Sequence, residues 1–143
     1  MATITANIEL NNDIASSAIA VAQEMNLCKA GGREGMDTMT SVSKILTSTN
    51  HVDLITATSV STSHNYVYIA NPSTNSSEYF HITLGSAEIG SGTYDNGTLP
   101  TEEIGRLYGG DWMFIPWTAD TNEDIGVKPS VATKMVVEYI VFS

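Results

Sequence analysis

The chain has 143 residues and a mass of 15.3 kDa, with a formal net charge of −10 and a pI near 4.4. So acidic a surface repels phosphate backbones and anionic lipid, which argues against nucleic-acid and membrane-surface roles, because both need clustered Lys and Arg. Charged residues are only 15%, against roughly 25% in an average domain, and Thr and Ser carry the polarity instead, as suits the solvent face of β-strands.

The length fits one domain over residues 1–143, large enough to bury its own core. Cys28 is alone, so neither an intramolecular disulfide nor a site of four thiolates can form. The opening Met1-Ala-Thr-Ile-Thr-Ala6 has no basic n-region and no apolar h-region, so no cleaved leader is expected. No apolar run approaches the ~20 residues of a membrane span.

From Thr3 to Leu10 the alternation is strict: Ile4, Ala6, Ile8 and Leu10 face one way, Thr3, Thr5, Asn7 and Glu9 the other, which predicts a half-buried strand. Asn11-Asn12-Asp13 reads as a turn. Ser17 to Leu27 fits a strand or a short helix, and the Ile19/Val21 alternation between turn-rich flanks favours the strand. Gly31 to Gly35 is a flexible loop. Strands are expected from about Thr40 to Thr47 and from Val52 to Thr58. Tyr66 to Ile69 and Glu78 to Leu84 follow as an antiparallel pair, with Phe80, Ile82 and Leu84 facing in and Tyr79, His81 and Thr83 facing out.

Gly85 to Glu103, with four glycines through Gly97 and then Pro100, is the longest loop. It is either a recognition or contact loop or an insertion that merely tolerates variation. Ile104 to Tyr108, Gly109-Gly110-Asp111 and Trp112 to Trp117 together predict a hairpin, since Gly supplies the positive φ of a tight turn. A short Ile125-Gly-Val127 strand and a final strand from Met135 to Phe142 complete the chain. The Ile104–Trp117 region and the last strand have no wholly polar face, so both sides must be covered, by a second sheet or another subunit. Eight to ten strands without a convincing helix predict an all-β, antiparallel two-sheet sandwich, of which a jelly roll is one form.

No catalytic constellation is legible. His51, His64 and His81 are isolated, without the His-x-His cluster by which cupin jelly rolls hold metal. Asp120-Thr-Asn-Glu-Asp124 alternates oxygen ligands, yet Ile125 and Val131 stand where an EF-hand needs Gly and Glu, which favours a solvated acidic turn. There is no Gly-x-Ser-x-Gly elbow and no phosphate-cradling loop. Neither enzymatic activity, cofactor nor metal is expected. Tyr94, Tyr108, Trp112 and Trp117 are the candidates for a subunit contact or a sugar platform. Trp112 and Trp117 differ by an odd number, so at most one of them faces the core of its own sheet.

The segments Tyr66-Val-Tyr-Ile-Ala-Asn-Pro72, Ile104-Gly-Arg-Leu-Tyr-Gly-Gly-Asp-Trp112, Phe114-Ile-Pro-Trp117 and Val137-Glu-Tyr-Ile-Val-Phe142 resemble small virion structural proteins of tailed bacteriophages, marine ones in particular. A weaker echo lies in the opening strand and Asn12-Asp-Ile-Ala15. The resemblance carries over no active-site residue. It implies a non-enzymatic virion protein made in the host cytoplasm, most simply a capsid decoration or cement protein that stabilises the head, with a tail or fibre component as the nearby option. The expected partners are its own copies, in a homotrimer or ring, and a major capsid or tail protein. A glycan- or receptor-binding module is the alternative from another class.

Overall fold

A computed structural model describes residues 4–11, 20–29, 34–36, 38–60, 64–85, 103–120 and 123–143. The described strands are β1 (Thr5–Asn11), β2 (Ala20–Asn26), β3 (Met39–Leu46), β4 (Val52–Ile55), β5 (His64–Ala70), β6 (Tyr79–Leu84), β7 (Glu103–Tyr108), β8 (Trp112–Thr118), β9 (Ile125–Pro129) and β10 (Met135–Phe142). The strand expected to run on to Thr58 stops at Ile55, and a single 3-10 turn, Ala57–Ser59, follows it. Asp124 Oδ1 accepts the Ala57 N–H at 2.7 Å and so supplies the bond that a ladder partner would have made.

The strands form two four-stranded antiparallel sheets, ordered β3-β10-β5-β8 and β4-β9-β6-β7, and a separate two-stranded sheet, β1-β2. From β3 onward the pairing is nested: β3 with β10, β4 with β9, β5 with β8 and β6 with β7. The chain from Met39 to Phe142 is therefore one long antiparallel ribbon folded over into two layers. Between the layers lie Phe80, Ile82, Val67, Ile69, Ile125, Val127 and Val137, all at most 1% exposed. Each contributes about 1.5–3 kcal/mol by leaving water.

Two expected pairings are corrected by this topology. Tyr66–Ile69 and Glu78–Leu84 are not partners, because β5 and β6 lie in different sheets. The Gly109-Gly110 turn is not a hairpin turn either, because β7 and β8 also part into different sheets. What holds the chain at this corner is a contact between two connections distant in sequence. Asn71 N donates to Asp111 O at 3.0 Å, Gly110 N donates to Asn71 O at 2.9 Å and Gly109 N donates to Glu78 O at 3.0 Å. The buried Asn71 side chain donates through Nδ2 to Leu107 O and Glu78 O. A Cβ on Gly109 would collide with the backbone carbonyls of Asn75 and Ser73, and Gly110 sits at φ +90°. The two glycines serve a close crossing and a turn between layers.

The β1-β2 sheet is joined to the body at its root, where Leu27 N donates to Ile4 O at 2.9 Å and Met36 N to Leu27 O at 3.1 Å. Leu27 and Met36 are buried with Tyr66, and Ile4, Ala6, Phe114 and Phe142 pack around them. Phe114, Tyr66 and Phe142 all point away from the sandwich interior, so this root covers one end of the outer face of β3-β10-β5-β8. The strands with two apolar faces thus have two sources of cover, the second sheet and the chain's own N-terminal region, and over the remainder nothing among the described residues covers them. The expected turn at Asn12-Asp13, the glycine loop at Gly31-Gly32-Arg33 and the loop at 86–102 lie outside the described residues.

Candidate recognition and assembly surfaces

Of the four candidate aromatic residues, Tyr94 lies outside the described residues. The other three do not converge. Trp117 is an interior residue, 4% exposed, and its indole N–H donates to Glu123 O at 3.0 Å. Trp112, five residues earlier on the same strand, points outward and is 52% exposed, with its ring 6.0 Å from that of Tyr68. Tyr108 is 41% exposed and belongs to the other sheet. Trp112 and Tyr108 are four residues apart in sequence but stand on opposite outer faces, so no single aromatic platform unites them.

The outer face of β3-β10-β5-β8 follows from the register. Its cross-strand rows are Ile45–Val136, then Ser43–Glu138–Ala70–Trp112, then Ser41–Ile140–Tyr68–Phe114, then Met39–Phe142–Tyr66–Pro116 and, on β5 and β8 alone, His64–Thr118. Glu138 is the one Asp, Glu, Lys or Arg in these rows. The Met39 end lies beside the covered cluster, where the Tyr66 and Phe114 rings stack at 5.7 Å. Toward the far end Ile45 is 55% exposed, level with Trp112. An apolar, nearly uncharged sheet face of this kind is a candidate contact surface.

The outer face of β4-β9-β6-β7 has another chemistry. Tyr79 pairs with Tyr108; Lys128, His81 and Arg106 form the next row; Asp53, Gly126, Thr83 and Glu103 form the one after. The Tyr79 and Tyr108 rings are 5.0 Å apart, and the Arg106 guanidinium lies 5.1 Å from the Tyr79 centroid, a cation–π geometry. Glu103 Oε1 bridges His81 Nδ1 at 3.0 Å and Arg106 Nε at 3.1 Å. The hydrogen bond from His81, more than that from Arg106, holds the Glu103 carboxyl below its ordinary value. The bond to Glu103 likewise raises Arg106.

Thr83 faces outward as expected, yet it is fully buried because His51 lies over it, with Nε2 and Thr83 Oγ1 2.8 Å apart. Burial, the largest cause, lowers the His51 pKa, against an opposing pull from Asp53. The imidazole occupies the space that a side chain at Gly126 would need. His51, His81, Arg106 and Lys128 come together only through strand register, for which the sequence offers no signal beyond the outward parity of Tyr79 and His81.

The acidic turn has structural work. Asp124 O accepts the Gly85 N–H, Glu123 N donates to Asp120 O, and Glu123 O accepts the Trp117 indole. Among the described residues no three His, Cys, Asp or Glu side chains gather in a metal-holding group. Comparison of the chain with protein-family models, with curated proteins and with solved structures finds no match.

Proposed function

We propose that this chain is a non-enzymatic structural subunit of a bacteriophage virion, a decoration or cement protein that stabilises the head. The observation that carries this reading is the apolar outer face of β3-β10-β5-β8, with Met39, Ile45 and Trp112 more than half exposed. We read the nested strand order as that of a jelly roll, eight strands in two sheets, an architecture used by viral capsid domains and lectins alike. The partners are its own copies, in a homotrimer or ring, and the major capsid protein. A subunit that bridges capsomers binds the assembled shell and not its separated parts, so it shifts the equilibrium toward the shell by mass action. Imaging and mass spectrometry of purified virions test the assignment. The protein is expected at regular positions on the head, whereas density on the tail would make it a tail or fibre component, and absence from particles would sink the idea.

A second reading, a glycan- or receptor-binding module, is favoured by the Tyr79–Tyr108 pair with Arg106 beside it on the opposite face. The two readings are compatible, because one sheet face would meet the shell while the other is displayed. A glycan array probed with the intact protein tests it, and no signal on any glycan would remove it.

A further inference from the structure

We propose that the outer face of β4-β9-β6-β7 binds an anionic saccharide, a sugar ring carrying a carboxylate, with the ring on Tyr108 and the carboxylate on the basic row formed by Arg106, His81 and Lys128. This rests on the glycan-binding reading and names its ligand class. The register sets the two rows side by side: Tyr79 and Tyr108 are each two residues from His81 and Arg106 on the same strands and the same face. Two residues along a strand span about 7 Å. A sugar seated on an exposed phenol ring can therefore direct an exocyclic carboxylate to the neighbouring guanidinium at hydrogen-bond distance.

Each part of the face suits one part of such a ligand. Tyr108, 41% exposed, offers a π surface to the C–H face of a pyranose, while Tyr79 behind it is occupied by Arg106. Arg106 is held in place by Glu103 through Nε and stacked on Tyr79, and its side chain is still 45% exposed. Arg106 also hydrogen-bonds the Tyr108 side chain, and the terminal N–H groups left over by a guanidinium fixed in this way are donors suited to a carboxylate. Lys128, directly across from His81, extends the row by one strand. The chain has only six Lys and Arg in all, against sixteen acids, and two of the six stand in one cross-strand row, where Glu103 engages Arg106 through Nε alone. A row this short cannot release the counterions of a nucleic acid or a lipid surface, but it matches one carboxylate.

Calorimetric titration of the intact protein decides this, using oligogalacturonate, an uncharged oligosaccharide of equal length, and phosphate alone. Oligogalacturonate is expected to bind and the uncharged sugar not to. Binding should weaken with added salt and fall by about tenfold or more in Arg106→Gln and in Tyr108→Ala. Lys134→Gln, the same charge change away from the row, should leave binding unaltered, and thermal melts should show all three variants folded. Equal binding of the uncharged sugar with no effect of Arg106→Gln would overturn the anionic class while leaving the glycan-binding reading standing. Equal binding of phosphate, or no effect of Tyr108→Ala, would reduce the face to an ion site and overturn the proposal. Absence of binding to either saccharide would count against both.

Discussion

The two sheets share one interior yet turn opposite chemistries outward. On β3-β10-β5-β8 the outward side chains include Met39, Ile45, Val136, Ile140, Phe142 and Trp112, with Glu138 as the one charge. On β4-β9-β6-β7 they are Asp53, Lys128, His81, Arg106, Thr83 and Glu103 beside two tyrosines. Burying the first face removes apolar area from water at about 25 cal/mol per Å² with one carboxylate to desolvate. Burying the second would strip water from several charges, and only a partner that returned their hydrogen bonds could offset that cost. The first face is therefore the less costly of the two to cover, and the second the less costly to leave in solvent or against a polar ligand. The inside of a sandwich thus says little about its use, which is decided by the residues that alternate with the core.

The largest effect is expected where this alternation itself is tested. Trp117→Ala should cost about 3–5 kcal/mol in urea denaturation, because a nearly fully buried ring and an indole hydrogen bond are lost. Trp112→Ala on the same strand should cost less than about 1 kcal/mol, since half of that ring is already in water. Equal losses would mean that β8 does not divide its two tryptophans between core and surface. Next comes Gly126→Ala, expected to destabilise by about 1–3 kcal/mol through collision with His51 and Thr83. Because the obstacle is a side chain, His51→Ala should relieve part of the penalty in a double-mutant cycle. Strict additivity would show that the imidazole does not fill that space.

A smaller effect follows from titration on the polar face. Burial lowers the folded-state pKa of His51 below its ordinary 6.5, so between the lowered value and 6.5 the unfolded chain binds more protons than the folded one. Stability is then complete above about pH 6.5 and falls as the pH drops toward the folded value, below which the deficit stays constant. Glu103, whose folded pKa lies below 4.5, holds its contribution above that value and loses it as pH falls through the lowered one. Denaturation midpoints of the wild type and His51→Gln should separate as the pH falls below the ordinary histidine value of 6.5, and those of Glu103→Gln only below the ordinary carboxyl value of 4.5. Parallel profiles for wild type and His51→Gln would contradict the burial of the imidazole.

Much of the strand content was legible because parity is local. Ile4, Ala6 and Ile8, or Phe80, Ile82 and Leu84, announce a strand and its apolar face within a few residues. Pairing was not legible, because a Gly-Gly-Asp turn serves equally to close a hairpin or to carry the chain between layers. The choice was made by Asn71, whose buried side chain bonds Leu107 and Glu78, and by Gly109 beneath the Asn75 carbonyl. The Asn71–Leu107 and Gly109–Asn75 contacts each span more than thirty residues. The candidate surfaces divide in the same way. The opposite directions of Trp112 and Trp117 follow from their odd spacing, whereas the Lys128–His81–Arg106 row exists only once three strands are in register.

The smallest effect on the folded chain, and the most telling for the apolar face, is expected from Ile45→Lys. Ile45 is 55% exposed on the edge strand β3, so a charge there should change the stability of an isolated copy by no more than about 0.5 kcal/mol. In an assembly that buries the face, the same ammonium would have to be desolvated opposite apolar side chains, and a buried unpaired charge costs several kcal/mol. Sedimentation velocity over a range of concentrations should therefore find wild-type self-association weakened or lost in Ile45→Lys, with the denaturation midpoint of the dissociated chain unchanged. Arg106→Gln, on the polar face, should leave association as it was. If Ile45→Lys assembles like the wild type while Arg106→Gln does not, the roles of the two faces are reversed, and it is the polar face that meets a second copy.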